Sequence, residues 1–271
     1  MSESEPIFFI TGGDGGIGSY LPKDFVRLST PLESPLQKKV DELKSKKPKQ
    51  KVKKIFIHLA AMASVTECEQ NPDLAYQVNV GGSEQWFQAS QSLGFDQFLL
   101  ASTAHVYAPP LDGRPLTTGS PIAPQNQYAK TKRQAEVHLQ NLERLGQTQL
   151  KIARIFSVLS EKGAPWALLQ GLRRRAQEKD FSPIPGLSNQ RDFLWAPQVA
   201  EQLILYAQTP TAPALINICS GKPHSVREIA EIVFKKAGED ANKLTELPIE
   251  NNVAKIIGQP YFETSDPLSL F

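Results

Sequence analysis

Tyr128 and Lys132, in QYAKTK, set a phenol and an ammonium four residues apart. On a helix that spacing puts both groups on one face, where the cation can stabilise a phenolate. A free phenol titrates near ~10, so it works as an acid/base at neutral pH only with such help. A second cluster, TGGDGGIG at residues 11–18, lies directly behind the apolar run Ile7, Phe8, Phe9, Ile10. Gly12, Gly15 and Gly18 keep a GxxGxxG spacing, with Gly16 and Ile17 between, and residues 17–21 can begin a helix. A strand-to-helix turn of this kind cradles a dinucleotide pyrophosphate. Together the clusters describe hydride chemistry on an alcohol or ketone. Each alone is a weak signal, because turns use glycine freely and six tyrosines among many lysines produce such a pair by chance.

The elements that must position these groups alternate. Short apolar runs predict strands over residues 7–10, 25–28, 55–59, 97–101 and 151–155. Helices are predicted over residues 35–47, 72–93 and 127–145. This pattern means an α/β, Rossmann-type doubly wound parallel sheet with its sites at the carboxyl ends of the strands. After Ser157 it loosens into helices over 165–178, 196–208 and 226–237 and a strand over 215–218. We read residues 1–157 as a dinucleotide-binding domain and 158–271 as a smaller substrate-binding lobe, partly integrated with the sheet.

A chain of 271 residues can bury a sizeable core. Its formal net charge of +2 is local in origin: residues 38–54 hold nine lysines, leaving 21 basic against 26 acidic residues elsewhere. No aromatics are interleaved with these lysines, so a solvated helix and turn is favoured over a nucleic-acid surface. MSESEP and the brief apolar run after it offer neither a signal peptide nor a membrane span, and a cytoplasmic protein is expected. Cys68 and Cys219 lack a CxxC or a histidine at ligand spacing, so no metal site is suggested.

Between and beyond the two clusters come HLAAMASV from His58, Asn79-Val80, LLASTAHVYA around Thr103, ARIFSVLS from Ala153, RDFLW from Arg191 and INICSGKPHSVREIAEIV from Ile216. In this order they resemble the extended short-chain dehydrogenase/reductase family, of the NAD-dependent epimerase/dehydratase type that modifies nucleotide sugars. The resemblance covers nearly the whole chain. It implies Tyr128 as catalytic acid/base, Lys132 as the group that holds the nicotinamide ribose, and Thr103 as the hydroxyl that binds the reacting oxygen. Ser102 is the alternative hydroxyl, but the distance to Val106 and Tyr107 favours Thr103. Ala60, Ala61 and Asn79 are implied to line the cofactor, and Ser157 and Arg191 to meet the substrate, Arg191 through its diphosphate. His58 reads as a histidine at a strand end.

Three departures shape the functional expectation. The second strand ends in Ser29 and Thr30, with Arg27 close by, where the family carries an acidic residue that rejects a 2′-phosphate. Ser29 is therefore read as a cofactor contact, and NADP is favoured over NAD. Residues 19–54 are compressed, as though a strand and a helix were lost, and the role of the lysine-rich segment there stays open. Ala104 and His105 stand where sugar dehydratases carry Asp-Glu. The expected function is an NAD(P)-dependent oxidoreductase on a nucleotide-linked sugar, a 4-ketoreductase ahead of an epimerase. The alternatives are an idle NAD(P)-binding sensor or assembly protein and a reductase of a small ketone. A homodimer is compatible with all three.

Overall fold

The computed structural model describes residues 5–46, 52–110, 113–247 and 255–271. Residues 47–51 of the lysine-rich segment lie outside the described residues. In chain order the first half comprises β1 (Ile7–Thr11), β2 (Val26–Leu28), α1 (Leu36–Lys46), β3 (Lys54–His58), α2 (Val65–Gln70), α3 (Pro72–Tyr76), α4 (Gly82–Ser92), β4 (Gln97–Thr103), α5 (Gln127–Glu143) and β5 (Gln149–Ile155). The second half adds β6 (Ser157–Leu159), α6 (Leu168–Glu178), β7 (Ile184–Pro185), β8 (Gln190–Trp195), α7 (Ala196–Gln208), β9 (Leu215–Ile218), β10 (Pro223–Ser225), α8 (Val226–Lys236), β11 (Glu246–Leu247) and β12 (Lys255–Ile256).

Among the described residues six strands form one parallel sheet in the order β2-β1-β3-β4-β5-β9. Ile55-Phe56-Ile57 and Phe98 to Leu100 are fully buried, because helices cover the sheet on both faces. On one face α7 packs Leu203 and Tyr206 against Phe8, Ile10 and Ile57. On the other, Leu43 of α1, Trp86 and Phe87 of α4 and Leu139 of α5 close over Phe9, Phe56 and Phe98. The register brings Thr11, Leu28, His58, Thr103, Ile155 and Ile218 to one edge. A smaller layer, β10-β8-β12 with β6 beside β8, packs with α6 and α8 around a separate core of Leu172, Phe193, Ile229 and Phe234.

Two expectations are corrected. No α-helix follows the glycines: Gly18–Tyr20 is a single 3-10 turn. Pro22 biases Leu21 to extended backbone (φ −68°, ψ 151°), and the chain runs straight to β2. The sheet face is covered there by the Phe25 ring stacked on Phe8 at 4.4 Å, by buried Leu21, and by α7 against the turn. The helix expected over residues 72–93 is also not uniform. It passes through a π-turn at Gln77–Gly81 that carries Asn79, and α2 precedes it where no helix was expected.

Candidate active site

Helix α5 starts just before the phenol for local reasons. Asn126 caps it by accepting from Ala129 N at 2.8 Å, and Glu69 of α2 accepts from Gln127 N at 2.7 Å. Tyr128 and Lys132 then share a face, and Thr103 at the end of β4 is a hydrogen-bond partner of the Tyr128 hydroxyl. The Thr103 side chain also accepts from His105 N at 3.2 Å. Ser102, the alternative hydroxyl, points away and donates to Glu136 at 2.6 Å. The structure therefore brings Thr103, Tyr128 and Lys132 together, and it leaves Ser102 out.

Burial sets the electrostatics. It pushes the Tyr128 phenol up to about 12, against the opposing bond from Thr103. It pulls Lys132, only 2% exposed, down to about 8, with Glu136 opposing that fall. Among the described residues the Lys132 ammonium has no hydrogen-bond or ion-pair partner.

Behind this face runs a buried polar chain whose donors can be assigned. Ser83 Oγ donates to Asn79 O at 2.6 Å, so it accepts from His58 Nε2 at 3.1 Å; His58 Nδ1 then accepts from Thr11 Oγ1 at 2.7 Å. His58 is neutral, held well below its usual range by burial and by the charges of Lys132 and Lys39. Asn79 Nδ2 donates to Thr131 Oγ1 and to Met62 O, both at 3.0 Å, and its Oδ1 accepts from Met62 N at 2.8 Å. Thr131 donates to Tyr128 O at 2.9 Å. The chain thus ties the end of β1 to the turn of α5 that bears the phenol. Asn79 was expected to line the cofactor; both of its amide N–H groups donate within the protein and its Oδ1 accepts from Met62.

At the glycine turn, Gly12 has φ +69° and a Cβ there would lie 2.7 Å from Ala60 N. A Cβ on Gly18 would lie 2.1 Å from Gly12 O. These two positions need glycine because strand ends and turn backbone meet, whereas Gly16 has ordinary room. Arg27 does not face the cleft. Its guanidinium donates to Gly13 O at 2.7 Å and Leu21 O at 3.3 Å, bracing the turn from beneath. From the smaller layer, Ser160 donates to Gly16 O at 2.8 Å, a clasp with no sequence signal.

Ser29, read from the sequence as a cofactor contact, is tied to α1. Its N–H (2.8 Å) and hydroxyl (3.2 Å) donate to Glu42 Oε1, and Thr30 N donates to Oε2 at 2.9 Å. With Lys46 also on that carboxylate, Glu42 is held at about 2. The end of β2 thus carries a carboxylate after all, supplied by α1.

Arg191, on β8, is half-buried and has no partner among the described residues; burial lowers it, and its charge in turn lowers the His105 imidazole. A cavity of about 160 Å³ beside these groups is lined by His105, Tyr107, Leu116, Gln125, Asn126 and Ile256. Asp192, next to Arg191, is turned the other way and accepts from Ser220 N, Gly221 N and Gly258 N. Ser157 is half-buried at the start of β6.

A family model for the NAD dependent epimerase/dehydratase family matches residues 8–219, which include the glycine turn, Thr103, Tyr128 and Lys132. The chain belongs to this family. Within it, a UDP-glucuronate 4-epimerase of Thermodesulfobacterium geofontis is 28% identical over 192 residues, 69% of this chain and 58% of that protein. A GDP-6-deoxy-D-mannose reductase of Pseudomonas aeruginosa is 25% identical over 242 residues, 83% of this chain and 78% of that one. The fold matches a crystal structure of UDP-glucose 4-epimerase from Thermotoga maritima with UDP-glucose. The TM-score is 0.81 at 19% identity, covering 95% of this chain and 90% of the other. Among the described residues of this epimerase/dehydratase family member, no helix is long and apolar enough to cross a membrane.

Proposed function

We propose that this chain reduces the 4-keto group of a nucleotide-linked sugar, using a nicotinamide dinucleotide as hydride donor. The observation that carries the reading is Arg191: a desolvated guanidinium without a counter-ion among the described residues, near the Thr103, Tyr128 and Lys132 set, suits a diphosphate. The unused Lys132 ammonium and the close-packed Gly12 and Gly18 fit a dinucleotide in the same cleft. Lys132 would hold its ribose hydroxyls, the backbone of Gly12 and Gly15 to Gly18 its phosphates, and Ala60 and Ala61 leave room beside it. When bound, that group supplies the hydride. Thr103 orients the substrate oxygen, and Tyr128 gives it a proton. A phenol at about 12 arrives protonated, which suits reduction directly; oxidation, the first half of an epimerisation, needs it deprotonated first.

An epimerase is the second reading, since four of the relatives carry 4-epimerase names. For the cofactor, the absence of an acidic residue at position 29 argues for NADP. Glu42 argues more strongly the other way, because it takes the donors of Ser29 and Thr30 and brings its own negative charge. We therefore infer a preference for NAD(H). Titration by fluorescence tests this: Glu42→Gln should raise NADPH affinity relative to NADH at least tenfold, and an unchanged ratio overturns it.

The functional reading is tested with reduced cofactor and a panel of 4-keto sugar nucleotides, comparing wild type with Arg191→Ala. Turnover that loses nucleotide dependence in the variant supports it. Turnover of simple ketones that ignores Arg191 makes the protein a small-ketone reductase. Cofactor binding without any turnover makes it a sensor.

A further inference from the structure

Glu136 is fully buried, and the hydride mechanism gives it no part. It joins three elements. Its Oε1 accepts from Ser102 of β4 at 2.6 Å and from Arg154 Nε of β5 at 2.9 Å. Its Oε2 accepts from Arg154 Nη2 at 2.7 Å and from Arg133, on its own helix, at 2.8 Å. Ser102 precedes Thr103, and Glu136 lies one helical turn beyond Lys132, so this carboxylate sits between the two halves of the catalytic set. Arg154 is itself backed by the Tyr107 ring at 4.7 Å, and Tyr107 Oη donates to Asn217 at 2.7 Å. Such a cluster is costly to bury, and an apolar one would hold the fold as well.

We propose that Glu136 is a positioning residue for the reaction: it locks the end of β4 to α5, fixing Thr103 against Tyr128, and supplies the counter-charge that keeps the buried Lys132 an ammonium. The second role rests on the oxidoreductase reading only for its purpose, not for its physics. The charged and titratable groups facing Lys132 are Glu136 and Tyr128 on its own helix and neutral His58 from β3. Those facing Glu136 are Arg133, Arg154 and Lys132, with the Tyr107 phenol beyond Arg154. Arg154 therefore competes with Lys132 for the same carboxylate, which makes the two partners of one ion pair act in opposite senses on Lys132.

The test is the titration of Lys132 by NMR of ¹³Cε-labelled lysine, its resonance assigned by loss in Lys132→Met. The wild-type midpoint should lie near pH 8. Glu136→Gln should lower it by about one pH unit or more, and Arg154→Gln should raise it. Loosened packing alone moves both variants the same way, so a common direction, or no movement in either, overturns the proposal. Should Glu136→Gln fail to fold with Arg154 left unpaired, the double variant Glu136→Gln/Arg154→Gln removes both charges, and its midpoint must fall below that of Arg154→Gln. Turnover is measured in parallel. A tenfold or larger fall in kcat for the double variant is expected, and wild-type kcat there overturns the positioning role. Opposite shifts in a protein that turns over no nucleotide sugar leave Glu136 as assigned and remove the functional reading instead.

Discussion

At the scale of single residues, the proton is the step most open to test. Tyr128→Phe removes one oxygen and leaves the glycine turn and Lys132 in place, so cofactor affinity should stay within a few-fold of wild type. Turnover should fall by ~10²–10⁴, the usual contribution of a positioned acid/base; near wild-type turnover would refute the mechanism. Tyr128, Lys132 and Thr103 were legible in the sequence because each lies at a fixed spacing on an element whose face is set by the backbone. The preference for Thr103 over Ser102 gains support that only the structure gives, since the Ser102 hydroxyl is taken by Glu136. The protein partners of Asn79 and Ser29 were not legible, because spacing shows where a side chain starts, not which partners take its donors. Partners such as Met62 and Glu42 lie 17 and 13 residues away, with no pattern to announce them.

At the scale of elements, the end of β2 depends on α1. As an edge strand β2 leaves backbone donors unpaired, and Glu42 covers those of Ser29 and Thr30. A carboxylate near 4.5 when unfolded and about 2 when folded stabilises the native state fully above pH 4.5, and that contribution is lost as pH falls toward 2. Glu42→Gln should therefore melt below wild type at pH 7, with the gap closing as pH is lowered through 4.5 toward 2. A gap that persists unchanged at pH 3 would mean that charge plays no part in the tie. The glycine turn should be equally exacting. Gly18→Ala places a methyl 2.1 Å from Gly12 O, so cofactor affinity should drop at least tenfold in a protein that still folds, as read by circular dichroism and NADH titration. The strands were legible because buried parallel strands read as continuous apolar runs. The 3-10 turn was less so, since Pro22 ends a helix without saying whether one had begun.

At the scale of the whole molecule, the sheet and its family were readable from the order of the motifs, while the compression between β1 and β3 was readable only as a shortage of residues. The structure gives that shortage a form: one turn in place of a helix, and one helix, α1, leading from β2 to β3. This bears on which hydride reaction the protein runs. A pyrophosphate gains from a helix N-terminus, where unpaired N–H groups and the helix dipole meet it. Here only a single 3-10 turn follows the glycines, so in the proposed function the hold on a dinucleotide comes from the turn itself, from Lys132 and from smaller contacts. An epimerase keeps its nicotinamide through oxidation and return, and a loose hold works against it; a reductase exchanges it in every cycle, and the same loose hold serves it. Protein purified without added cofactor should accordingly carry well under one equivalent, read from its absorbance spectrum and from mass analysis of the acid-released ligand, and its turnover should consume reduced cofactor one for one with product. Near-full occupancy by NAD, with a nucleotide sugar inverted at C4 without added reductant, would reverse the preference and make this chain an epimerase.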